Sequence, residues 1–141
     1  MQIQKTIKRL CEFRTYALQH ATAMEAISKQ FSHPTIEKMR ADAAQDARHY
    51  AYTLRVIIDA LNDGHTEDAA EETRMMLRMA DKAERQAWIR RDDWSMELTK
   101  EPLLRADAWR VAAALLAAEN GITLEQPQDY TTTPLTKGGA Q

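Results

Sequence analysis

The chain has 141 residues, enough for one domain that buries roughly two thirds of its unfolded surface. A hydrophobic content of 44% beside 28% charged residues excludes a disordered protein, because that balance supports a core. The net charge of −2 excludes bulk attraction to nucleic acid and leaves such work to local patches.

Only four glycines and four prolines occur, against plentiful Ala, Leu, Met, Glu, Arg and Gln, the residues that favour helices. A first helix is predicted over residues 3–31. Its apolar seam reads Leu10, Phe13, Ala17, His20, Met24, Ile27 and Phe31, alternating steps of three and four, with Ile3 and Ile7 leading in. The "SHP" at 32–34 breaks it, with Ser32 or His33 as cap and the proline in the first turn of the next helix. The second helix carries Ile36, Met39, Ala43, Ala47, Tyr50, Leu54, Ile57 and Leu61, the clearest period in the chain. "NDG" (62–64) ends it, since Gly64 tolerates the left-handed conformation that closes helices.

Thr66 is the predicted cap of the third helix, whose Glu67, Asp68, Glu71 and Glu72 complement a positive helix end. This helix runs to about Arg91. Asp93 or Thr99 starts the next segment, with Pro102 expected in a first turn. A fourth helix over 100–119 is predicted to bury Leu104, Ala108, Val111, Leu115 and Ala118, and "NG" (120–121) closes it. Residues 121–141 are rich in Thr, Pro and Gly without period, and read as an extended or flexible tail. The fold class is therefore all-α: residues 1–120 form a single domain, a compact antiparallel bundle of four main helices.

The single cysteine, Cys11, cannot form an internal disulfide and suits a reducing compartment. The most apolar run, "VAAALLAA" (111–118), is far shorter than a membrane span, and the start lacks the apolar stretch of a signal peptide. A cytoplasmic protein with no membrane association is expected.

The stretch "RMMLRMADKAERQAWIRRDDW" (74–94) carries the main functional signal. With Arg74 as zero on a helical wheel, Arg78 falls near 40°, Lys82 near 80° and Arg85 near 20°. Met76, Ala80, Ala83 and Ala87 lie on the far side, and Trp88 at the border. Either the cations dock an acidic partner, or they form a solvated face paired with Glu71, Asp81, Glu84 and neighbouring helices. Arg90, Arg91 and Trp94 extend the surface, since tryptophan and arginine are common anchors of interfaces. For Trp88 and Trp109 the expected role is packing at the end of the bundle. Lys5, Lys8 and Arg9 make a secondary basic patch where cations sit badly against a positive helix end.

Reaction chemistry is sparse. A carboxylate-bridged metal bundle needs Glu-x-x-His on two helices and further carboxylates on two others; the chain offers Asp46 and His49 only, so neither a metal nor another cofactor is expected. "RTYALQH" (14–20) resembles the Arg-x(4–6)-His pattern of helical ribonucleases, and the resemblance implies Arg14 and His20 as an acid–base pair. It covers seven residues. Glu37, Asp42, Asp46 and His49 are expected to line a polar groove. Asp68/Glu71 and Asp81/Glu84 point about 140° apart on one helix and cannot converge. The chain lacks a phosphate-binding glycine loop.

The leading expectation is a non-enzymatic helical protein: an adaptor, inhibitor or accessory subunit of the kind carried by phages and mobile elements. It would bind a protein partner through Arg74, Arg78, Lys82, Arg85, Arg90, Arg91 and Trp94. The alternative is an accessory subunit that holds a nucleic-acid backbone with the same stripe, without reading sequence. A third class is a helical ribonuclease using Arg14 and His20. A homodimer through the first hairpin fits any of these.

Overall fold

A computed structural model describes residues 1–28, 30, 33–64, 67–90 and 96–124. Four helices occupy them: α1 (Gln4–Ser28), α2 (Pro34–Asp63), α3 (Ala69–Arg90) and α4 (Met96–Glu119). There is no strand among the described residues, so the chain is an all-α bundle. No helix of the described residues is long and apolar enough to cross a membrane. Most of the predicted tail, from residue 125 on, lies outside the described residues.

The helix ends follow local chemistry. Pro34 occupies the first turn of α2 behind an extended His33, which makes no side-chain cap. Gly64 closes α2 at φ 66°. The cap of α3 is Asp68, whose Oδ1 accepts the backbone N–H of Ala70 at 2.9 Å. Thr66, the predicted cap, lies outside the described residues. At the end of α4, Gly121 has φ 68° and the N–H of Ile122 reaches back to the Ala117 carbonyl at 2.8 Å. That bond closes a helix with its last carbonyls satisfied.

The helices form two hairpins, α1 with α2 and α3 with α4, and α4 packs against all three others. In contrast, α4 is the only described helix that packs against α3. Arg110 meets Asp81 and Glu84 while Arg105 meets Gln86, so α3 and α4 run antiparallel. Lys100 meets Asp46 and Asp107 lies close enough to Tyr50 to raise its phenol, after burial, above the usual tyrosine range; α2 and α4 are parallel. Leu10, Leu54, Ile57, Leu61, Met76, Trp109 and Leu116 form the core with six alanines from α3 and α4.

Several predicted core positions are displaced. His20 is exposed, because the seam of α1 passes through the fully buried Ala21, about 100° away on the wheel. Ile36 and Met39 are exposed, although they lie in phase with Leu54. The Asp46–Lys100 contact explains this: α4 begins only four residues before Lys100, so the start of α2 projects past it.

In α4 the predicted seam is rotated. Pro102, Ala106, Ala108, Trp109, Ala112, Ala113, Leu116 and Ala117 are buried, whereas Leu104, Val111 and Leu115 are half-buried and Ala118 is exposed. A helix packed by three neighbours has no single apolar face, and alanine fills most sides of this one. Pro102 sits in the second turn, not the first. Trp109 is buried as expected, but Trp88 is 59% exposed. It lies on the margin of α3, away from the face that α4 covers.

Candidate docking surface

The outward face of α3 is assembled from the predicted stripe. Arg74, Arg78, Lys82 and Arg85 are all exposed. On the same wheel the buried residues Glu72, Thr73, Met76, Ala80, Ala83 and Ala87 fall between about 160° and 260°. The stripe, centred near 40°, is therefore almost diametrically opposite the packed side. The small-residue packing face expected from the sequence is the one that α4 covers.

The expected neutralising partners do not reach the stripe. Arg110 of α4 draws off Glu84 at 2.6 Å and Asp81 at 3.5 Å. None of the ion pairs among the described residues involves Arg74, Arg78, Lys82 or Arg85. Four cations thus share about 80° of helix surface with only Glu71 among them. Solvent screening keeps their mutual repulsion small, and among the described residues no ion pair has to be broken before a partner binds.

Two features of this face are less visible in the sequence. Ile89 is 73% exposed and falls near 60° on the wheel, inside the cationic stripe. Trp88 and the 38%-exposed Met79 stand on its two margins. The position of Ile89 follows from the helical period once α3 is known to extend through it. The role of Arg110 does not, since it depends on how α4 is laid against α3. Arg90 ends α3, while Arg91 and Trp94 lie outside the described residues.

The secondary patch stands apart, on a helix that does not pack against α3. Lys5, Lys8 and Arg9 are exposed. Arg9 is engaged locally, with Glu12 at 3.1 Å and over the Phe13 ring at 5.3 Å.

The polar groove on α2 also forms. Asp42, Gln45, Asp46 and His49 line an open cleft of about 180 Å³ with Lys100 and Glu101 of α4; Glu37 is not among them. Two of its three carboxylates are paired, with Lys100 Nζ 3.5 Å from Asp46 and Arg105 Nε 2.7 Å from Glu101. Among the described residues no group of three or more His, Cys, Asp or Glu side chains is arranged to hold a metal ion. Arg14 is half-buried and His20 exposed, about 120° apart around α1, so the two do not share a face.

No family of known proteins matches this chain, and no curated protein or solved structure does.

Proposed function

We propose that the protein is a non-enzymatic docking module that binds a partner protein through the outward face of α3. The observation that carries this reading is the exposed Ile89 lying in line with four cations that no ion pair among the described residues engages, flanked by exposed Trp88 and Met79. Large apolar side chains left in water lose the free energy that covering them would recover. Interfaces between proteins combine such residues with arginine at their centres. A phosphate-holding surface gains nothing from them.

The test is capture from the native host lysate with nuclease present, using the native chain and the variant R78E/K82E/R85E. One stoichiometric protein held by the native chain and lost by the variant is the expected result. Equal capture by both, with helical content and melting temperature unchanged, overturns the reading. Recovery of nucleic acid alone when nuclease is omitted replaces it with the phosphate-binding alternative, for which the same stripe would supply the contacts.

A further inference from the structure

We infer that the element docking on α3 is a single acidic α-helix of the partner protein, laid along the stripe. This deepens the docking reading and rests on it. Arg74, Arg78, Lys82, Arg85 and Ile89 follow one another at steps of four, four, three and four residues. Steps of that kind trace a nearly straight line along a helix, here about 22 Å from end to end. The same steps on a second helix also trace a straight line. Two helices side by side therefore meet residue for residue along such a seam, as in coiled coils.

The charge of the occupant follows from the absence of local pairing. Asp81 and Glu84 are held by Arg110 and no ion pair among the described residues engages the four cations, so an occupant that complements them carries carboxylates. The apolar content follows from Ile89, with Met79 and Trp88 on the margins. A helix bearing carboxylates at steps of four, four and three, and an apolar residue four positions further on, satisfies every position of the seam. An extended acidic segment would lie there with its backbone unpaired, since the described residues offer no sheet edge. A phosphate backbone would leave Ile89, Met79 and Trp88 without apolar cover.

The test uses the full chain and synthetic helical peptides of about 20 residues, long enough to hold a helix in water. One carries glutamates at the matching steps and a leucine at the position facing Ile89. A second carries the same order reversed, to allow antiparallel docking. A third has the same composition with the glutamates spread around the wheel. Binding is read by fluorescence anisotropy at low ionic strength.

One patterned peptide should bind about tenfold more tightly than the spread one, the product of four exposed ion pairs of ordinary strength. The variant R78E/K82E/R85E should lose that preference and regain it for the peptide with its glutamates changed to lysine. Equal binding of patterned and spread peptides overturns the helix proposal but leaves protein docking standing. No peptide binding overturns it as well, and the lysate capture then judges the docking reading separately. If duplex DNA binds instead, with affinity falling steeply as salt rises, both readings fail.

Discussion

Glu119 ends α4, yet its carboxylate caps a different helix. Ile3 occupies the cap position of α1, as the Ile7 N–H to Ile3 carbonyl bond of 2.9 Å marks, and isoleucine has no side chain for the task. Glu119 supplies it: Oε2 accepts from the Lys5 backbone N–H at 3.0 Å, and Oε1 from the Thr6 N–H and hydroxyl, both at 2.7 Å. Asn120 fastens the same corner by accepting from the Gln2 N–H and donating to the Gln2 carbonyl. Burial alone would raise the Glu119 pKa, but these donors, the Thr6 hydroxyl first, hold it below the ordinary glutamate range.

A depressed folded pKa adds stability that is present above the unfolded value and lost as pH falls through the folded one. Glu119→Ala should cost about 1–2 kcal/mol at neutral pH, the range of a lost cap, read from chemical denaturation. The gap in stability between the native chain and Glu119→Gln should shrink below about pH 4.5. A gap that stays constant down to pH 2 would remove the charged cap from the account.

At the scale of elements, how much could be read in advance depends on how many neighbours a helix has. In α2 the residues Leu54, Ile57 and Leu61 were legible as core because the helix has a wet side, and alternation of polar and apolar residues records it. The same reading failed at Ile36 and Met39, since nothing in the local pattern states where a neighbouring helix starts. In α4 the exposed residues Leu103, Asp107, Ala114 and Ala118 cover only about 60° of the wheel. With alanine on both the wet and the dry sides, the pattern does not show the phase. Adjacent alanines can test it. Ala113→Leu inserts three carbons where the residue is fully buried and should destabilise by about 1–3 kcal/mol. Ala114→Leu, on the exposed stripe, should stay within about 0.5 kcal/mol of the native chain. Equal melting temperatures for the two would contradict the placement of α4.

Among the four described helices α4 is the central one and α3 the outlying one, because α4 is the only one of them that α3 packs against. Local opening follows the number of buried contacts. Amide hydrogens in the middle of α4 should therefore exchange near the rate of global unfolding, while those of α3 exchange faster. Protection of α3 equal to that of α4 under native conditions would show that α3 does not open separately. An outlying helix is also the one whose far side can be given to a partner without loss of core, and α3 carries the proposed docking seam there.

The residues by themselves determined the helical class, the number of helices, most of their ends and the two-sided character of α3. These are local properties: propensity, helical period, glycine closure and the opposition of Met76, Ala80, Ala83 and Ala87 to the cations all act within a few turns. Only the tertiary structure decided that Arg110 takes Asp81 and Glu84 away from the stripe. It alone decided that Glu119 caps α1 from 113 residues away, and that Trp88 is largely exposed while Trp109 is buried. Each of these depends on how the helices are laid against one another. That arrangement minimises exposed apolar area over the whole chain, and no single stretch of sequence carries it.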